Sequence, residues 1–247
     1  MGDRDYVSPK FLENDFVKQS TYNDKQIVEK LEYNKSYKPL HDTYKKILID
    51  ANTYAGKANI DGFQPYFSDA NHITGFYAKA YKNSKTKTIV IAYKGSDTWS
   101  IANDWIENNA YMAIIKRVPF QFKDAEQFYF DVRAKLGNEI GYYKFDFAGY
   151  SLGGTLAELM GAKYGNETVT FNAFGAATLK NATINFTNNI INYGNVDDVV
   201  FNWNNTKHIG KIILTKNDSI NKSFYYNHEL ENLGVLEEQI IKTKELN

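Results

Sequence analysis

The sequence predicts an α/β fold in which a mostly parallel central sheet carries helices on both faces. Segments with the apolar content of strands alternate with segments of helical periodicity, which is the pattern of βαβ units. The segment Thr88–Tyr93 is almost entirely apolar, as expected of a strand that is covered on both faces. These two observations predict the fold class before any motif is considered.

The predicted elements follow one another along one continuous domain. Residues 1–38 are polar and rich in tyrosine, and we expect an N-terminal arm or short helices packed on the domain. Residues 39–247 contain no repeat and no linker rich in proline and glycine, so they are predicted to form a single domain. The predicted helices are Leu40–Gly56, Lys123–Leu136, Thr155–Tyr164 and Glu229–Ile241, and the predicted strands are Gly75–Tyr81, Thr88–Tyr93, Tyr143–Ala148, Val169–Asn172, Ile190–Tyr193 and Lys211–Leu214.

The amino-acid composition excludes or disfavours several classes of function. The chain has 29 basic and 29 acidic residues, so its formal net charge is zero, which argues against nucleic acid as a partner. It contains no cysteine, and disulfides, thiolate zinc sites and cysteine nucleophiles are therefore excluded. A small-molecule or lipid substrate fits this charge balance better than a polyanion does.

The sequence shows no segment directed to a membrane. No stretch approaches the roughly 18 apolar residues of a transmembrane helix, and the N-terminus has no apolar signal-peptide segment. We therefore expect a soluble protein, either cytoplasmic or exported by a route without a cleaved signal.

The most informative segment is a serine flanked by glycines between a predicted strand and a predicted helix. Residues 149–153 read Gly-Tyr-Ser-Leu-Gly, and this spacing lets Ser151 occupy a sharp turn that exposes its hydroxyl above the sheet. The glycines are needed because side chains there would collide with the neighbouring strand and helix. The helix that follows directs its positive end at an oxyanion formed by serine attack on a carbonyl. Ser151 is thus the candidate nucleophile.

Residues 149–157 resemble the nucleophile turn of class 3 (fungal-type) lipases and related bacterial lipase-like phospholipase domains. Residues 93–97 (Tyr-Lys-Gly-Ser-Asp), followed by Asn103–Ile106, and residues 170–175 (Thr-Phe-Asn-Ala-Phe-Gly) resemble other segments of that family in the same order. The chain departs from the family at Lys94, where arginine is usual, and in a short insertion before Trp105. The resemblance implies an α/β-hydrolase fold, a serine-dependent reaction and no metal or organic cofactor.

A catalytic serine needs a histidine base, and two histidines follow Ser151 in the chain. The resemblance places the catalytic histidine in a loop before the last helix, where His228 lies. It gives His208, within a His-x-Gly segment before a strand, a structural part. His41 and His72 precede the serine, and we interpret both as structural or surface residues.

The carboxylate that orients the histidine is expected at the end of a strand that follows the strand, turn and helix containing Ser151. Two adjacent aspartates, Asp197 and Asp198, occupy that position. The family pattern Asn-x-x-Asp-x-Val favours Asp198, while the other aspartate is typical of a solvated turn.

The resemblance also indicates an oxyanion hole and a lid. The oxyanion donors would be the backbone N–H groups of Leu152 and Ser96. The connection over residues 97–118 is rich in tryptophan and isoleucine, and it is interpreted either as a lid over the site or as an ordinary helix packed on the core.

The predicted function is hydrolysis of lipid carboxylic esters, of lipase or phospholipase A type, through an acyl-enzyme. The expected partners are a lipid or ester substrate and, transiently, a lipid surface. Two alternatives stay open at this level. One is acyl transfer or thioester hydrolysis by the same catalytic triad of Ser151, His228 and Asp198. The other is a catalytically silent binding module.

Overall fold

The computed structural model describes residues 38–53, 59–95, 117–195, 197–198, 200–202, 207–215 and 227–230. Four expectations lie wholly or mostly outside these residues: the N-terminal arm, the oxyanion donor Ser96, the possible lid over residues 97–118 and the last helix, Glu229–Ile241. No helix of the described ranges is long and apolar enough to cross a bilayer.

In the described part of the chain, seven strands form a single sheet. They are β1 (Gln64–Asn71), β2 (Phe76–Asn83), β3 (Thr88–Tyr93), β4 (Lys144–Tyr150), β5 (Glu167–Phe171), β6 (Ile190–Asn195) and β7 (Lys211–Thr215). Their order across the sheet equals their order along the chain. β1 to β3 pair antiparallel, whereas β3 to β7 are parallel to one another. The predicted mostly parallel sheet is confirmed.

Helices cover both faces of this sheet, also as predicted. They are α1 (Lys38–Asn52), α2 (Gln121–Leu136) and α3 (Leu152–Tyr164), with a 3₁₀ helix (Gly137–Tyr142) between α2 and β4. Ile47 of α1 shares an apolar cluster with Val90 of β3 on one face. Phe128 of α2 and Leu156 of α3 share a second cluster with Ile91 on the other face. Successive residues of β3 therefore serve opposite cores, which explains why this strand is apolar throughout.

The element boundaries differ from the predicted ones for physical reasons. β1 was not predicted, because it is an edge strand whose side chains are exposed or half-buried and show no apolar face. β2 begins at Phe76, since Gly75 has a φ of 72° and belongs to the preceding turn. α3 begins at Leu152 rather than Thr155. Its first turn contains two glycines, and because glycine has a low helix propensity, the sequence predicts a later start for this helix. α1 ends at Asn52 instead of Gly56.

The carboxyl ends of the parallel strands meet at one edge of the sheet. Tyr93 of β3 pairs with Gly149, Tyr150 pairs with Phe171 of β5, and Phe171 pairs with Tyr193 of β6. Residues that directly follow these strands are thus brought together along this edge, which is where ligands bind in open α/β sheets.

Candidate active site

Ser151 forms the turn between β4 and α3. Its φ of 55° and ψ of −125° lie in a region that non-glycine residues rarely adopt, so the turn is strained. Its N–H donates a hydrogen bond to Phe171 O (3.1 Å), and its carbonyl accepts one from Thr155 N (3.2 Å). Contacts to β5 and α3 therefore hold the strained serine in place.

The glycines on either side of Ser151 are required by close backbone approaches. A Cβ atom on Gly149 would lie 2.1 Å from Gly153 O, and one on Gly153 would lie 2.2 Å from Tyr93 O. Neither position has room for a side chain. The Gly-x-Ser-x-Gly spacing is therefore explained by the packing of α3 on β3 and β4.

The structure brings Ser151, His228 and Asp198 together. His228 Nε2 lies 2.9 Å from Ser151 Oγ, and His228 Nδ1 lies 3.0 and 3.1 Å from the two carboxylate oxygens of Asp198. A carboxylate only accepts hydrogen bonds, so Nδ1 carries the proton and donates it, which leaves Nε2 to accept from the serine hydroxyl. All three side chains are buried. The arrangement places a base within hydrogen-bonding reach of a strained serine.

Asp198, and not its neighbour, points to the histidine. Asp198 is fully buried, and its Oδ1 also accepts the Val200 N–H at 3.0 Å. Its own N–H donates to Asn195 O at 3.0 Å, which closes the turn after β6. The side chain of Asp197 is exposed, while its backbone N–H donates to Asn195 Oδ1 at 2.9 Å. Asp197 thus has the position of the solvated turn residue.

His208 lies away from the serine, in a buried pair with Glu158 of α3. Its Nδ1 is 2.6 Å from Glu158 Oε1, and its ring stacks on Phe201 with centroids 4.2 Å apart. The other carboxylate oxygen of Glu158 accepts the backbone N–H groups of Ala176 (2.9 Å) and Ile209 (3.1 Å). His208 therefore joins α3 to the segment before β7. Sequence analysis did not identify Glu158.

The two histidines that precede Ser151 also lie apart from it. His41 of α1 is buried, with its Nδ1 2.5 Å from the Tyr193 hydroxyl, and burial lowers the pKa of His41 to about 4. His72 is exposed in the turn between β1 and β2.

Asn172 is a further residue of the site that sequence analysis gave no role. It directly follows β5 and is fully buried. Its Nδ2 donates to Asn227 O and His228 O, each at 3.0 Å, and its Oδ1 accepts the Asn195 N–H at 2.9 Å. The available signal was its position at the end of a buried strand, at the same edge as Ser151.

One of the two expected oxyanion donors lies in the described part of the chain. Leu152 is the first residue of α3, so its N–H belongs to the positive end of that helix. Ser96 lies outside the described residues. Gly95 approaches the nucleophile closely, because a Cβ atom built on it would lie 3.3 Å from Ser151 Cβ. Half-buried Lys94 precedes it, and burial lowers the pKa of this lysine to about 8.

Within the described ranges, no group of three or more histidine, aspartate or glutamate side chains is arranged to hold a metal ion.

Comparison with known sequences gives a family match over most of the chain. The sequence model of the Tle-like phospholipase domains matches residues 22–232. An uncharacterized protein of Rickettsia prowazekii (strain Madrid E) is 32% identical over 100 residues. That stretch covers 40% of this chain and 26% of the Rickettsia protein, so the chain matches about a quarter of this relative's length.

Solved structures with a similar fold include three fungal lipases. A triacylglycerol lipase from Penicillium expansum has 18% identity and a TM-score of 0.53, covering 74% of this chain and 80% of the lipase. Lipase II from Rhizopus niveus has 16% identity and a TM-score of 0.52, covering 73% and 81%. The triacylglyceride lipase of Rhizomucor miehei has 14% identity and a TM-score of 0.51, covering 71% and 79%. At these identities the likeness establishes the fold, that of the α/β-hydrolases.

Proposed function

The chain belongs to the family of Tle-like phospholipase domains, and from this premise we propose that it hydrolyses carboxylic esters of lipids through an acyl-enzyme on Ser151. The family and the lipase fold both favour lipid esters in general. The family's description favours phospholipids among them, so a phospholipase A reaction, which cleaves an acyl ester, is the specific form of the proposal.

The hydrogen-bonded chain from Asp198 through His228 to Ser151 is the observation that carries this proposal. Its two links measure 3.0 Å and 2.9 Å, and its three members are buried. A silent binding module would have no need to maintain a strained serine and a correctly oriented histidine at this distance. The geometry therefore supports catalysis over binding alone.

Acylation begins when Ser151 Oγ attacks the ester carbonyl while His228 Nε2 takes the hydroxyl proton. The resulting imidazolium is stabilised by Asp198, which accepts the Nδ1–H bond. When the tetrahedral intermediate collapses, the ester C–O bond breaks and the proton passes from Nε2 to the leaving alcohol. The acyl group is then bound to Ser151.

Deacylation repeats these steps with water as the nucleophile. His228 Nε2 takes a proton from water, the hydroxide adds to the acyl carbonyl, and the proton returns to Ser151 Oγ as the fatty acid leaves. In both halves the carbonyl oxygen becomes negative. We propose that the Leu152 N–H and the Ser96 N–H stabilise this charge, and removing one such donor typically costs about 10²–10³ in rate.

The test compares the wild type with Ser151→Ala on phosphatidylcholine–phosphatidylglycerol micelles, a triglyceride emulsion and p-nitrophenyl esters of several chain lengths. We expect fatty-acid release by the wild type and a loss of about a millionfold in kcat in the variant. A fluorophosphonate should label the wild type and leave the variant unlabelled. The profile over the substrates then identifies the lipid class.

Ser68→Ala is the matched control, because Ser68 is an exposed serine on the edge strand β1. It should keep both labelling and activity. Serine-independent hydrolysis, or a folded wild type that neither reacts with the probe nor releases fatty acid, would rule out the proposed function. Added alcohol would yield transesterified product in quantity if the enzyme were an acyltransferase.

A further inference from the structure

We infer that Asn172 is a positioning residue that holds the base and the acid of the proposed triad in a common frame. This inference rests on the proposed function. Asn172 lies one residue beyond β5, whose last residue, Phe171, accepts the Ser151 N–H at 3.1 Å. Its side chain is therefore attached to the strand that also fixes the nucleophile.

The amide nitrogen of Asn172 holds the segment that carries the base. An asparagine amide has two N–H donors, and both are used here, on the carbonyl oxygens of Asn227 and His228 at 3.0 Å each. These bonds fix the backbone from which the His228 ring extends. Because the ring must bridge Ser151 and Asp198, a small displacement of that backbone changes both hydrogen bonds at once.

The amide oxygen of Asn172 holds the strand that leads to the acid. It accepts the N–H of Asn195 at 2.9 Å, while the backbone N–H of Asn172 donates to Tyr193 O at 2.8 Å. Asn195 is the last residue of β6, and its carbonyl accepts the Asp198 N–H. One side chain therefore connects the segments of both His228 and Asp198.

The orientation of this amide follows from its partners. An N–H group requires the oxygen of Asn172, and two carbonyl groups require its nitrogen, so the reversed orientation would oppose like groups at all three contacts. Aspartate, which has no N–H donor, would turn two attractive contacts into repulsive ones in a buried site.

A simpler explanation for Asn172 is its backbone. Its φ is 45°, and asparagine tolerates this left-handed region better than most residues. Glycine would satisfy that need equally well but would provide no amide. Asn172→Gly therefore separates the two explanations: it preserves the permitted backbone and removes the side chain with its three hydrogen bonds.

The experiment measures kcat, KM and the rate of fluorophosphonate labelling for Asn172→Gly and Asn172→Asp, each per folded molecule. Displacement of a catalytic group by about 1 Å costs on the order of 100-fold in rate, so we expect kcat and the labelling rate to fall about 10- to 100-fold. KM should stay within about twofold, because no contact to the substrate is removed.

Asn192→Asp is the matched control. Asn192 is also fully buried, donates from Nδ2 to Ile209 O (2.8 Å) and Lys211 O (3.2 Å), and accepts at Oδ1 from Thr170 Oγ1 (2.6 Å). Like Asn172 it donates to two backbone carbonyl oxygens and accepts one hydrogen bond, here from a side-chain hydroxyl, and none of these partners belongs to the proposed triad. We expect it to lower the melting temperature while leaving kcat per folded molecule unchanged.

The outcomes separate the two proposals. If the wild type reacts with the fluorophosphonate and Asn172→Gly reacts equally fast with an unchanged kcat, Asn172 has only a conformational role and the inference is overturned. If Asn192→Asp loses as much kcat as Asn172→Asp, the effect is general to buried amides and the inference is also overturned. A folded wild type that does not react at all overturns the proposed function and this inference with it.

Discussion

Two adjacent aspartates show how strongly surroundings differentiate identical side chains. Asp198 is buried against His228, whereas Asp197 is exposed one residue earlier. We expect Asp198→Asn to lower kcat by about 10⁴, because an amide in that place favours the wrong tautomer of the histidine. Asp197→Asn should retain nearly full activity. Steady-state kinetics on a p-nitrophenyl ester measure both, and equal losses in the two variants would contradict the assignment of the acid.

The turn around Ser151 leads to a stability prediction. Gly153→Ala would place a methyl group 2.2 Å from Tyr93 O, so α3 must move and the free energy of unfolding should fall by at least about 1–3 kcal/mol. Gly141→Ala is the control, since a Cβ atom there meets nothing within 4 Å. Urea unfolding curves compare the two variants. Equal urea midpoints for the two variants would show that the backbone around Ser151 accommodates the added methyl group at little cost in stability.

At the scale of elements, α1 is attached to the sheet through a buried histidine. Burial lowers the pKa of His41 to about 4, compared with about 6.5 in an unfolded chain. Between these values the unfolded state binds more protons, so stability is fully present above about pH 6.5 and falls as the pH drops toward 4. The loss attributable to His41 is about 3 kcal/mol by pH 4.

His41→Gln tests this pH dependence. Glutamine retains a polar group near the Tyr193 hydroxyl but does not titrate, so the variant's free energy of unfolding should decline less between pH 6.5 and 4. Chemical denaturation at a series of pH values measures the difference between the two curves. Parallel curves for the variant and the wild type would show that His41 does not titrate in this range.

Local pattern predicted some elements and residues of this molecule better than others. β3 was predictable because both of its faces are buried, and the turn at Ser151 because its strand, turn and helix are contiguous in the chain. β1 was not, because its pairing with β2 depends on hydrogen bonds rather than on an apolar face. Glu158 and Asn172 were missed because their partners lie 18 to 56 residues away and carry no spacing signal.

The spacing of residues did not decide between the two candidate histidines, and the family resemblance was needed to choose one of them. His208 and His228 each follow Ser151, and both precede plausible elements, so spacing left the base open. The structure places them against different carboxylates, Glu158 and Asp198. Buried polar pairs of this kind are determined by tertiary packing, which a single sequence does not encode in any local window.

For the whole molecule, the order of the strands in the sheet predicts a gradient in the protection of backbone amides against hydrogen exchange. β3, β4 and β5 lie between neighbours on both sides and are buried except at the first residues of β4 and β5, whereas β1 is an edge strand with exposed side chains. We expect amides of β3 to exchange hydrogen only through global unfolding, and amides of β1 to exchange faster through local opening. Mass spectrometry of peptides covering residues 64–71 and 88–93 measures this, and equal protection would contradict the gradient.

The order of the proposed triad along the chain determines when the site can be completed. Ser151 and His228 are separated by 77 residues, so a ribosome working at about 5–20 residues per second completes the serine several seconds before the histidine. On the proposed mechanism, Ser151 has no base to accept its proton during that interval. The same holds for any proteolytic fragment that ends before residue 228. On the proposed mechanism, ester hydrolysis can therefore begin only after the segment that carries His228 has been synthesised and has folded against Ser151 and Asp198.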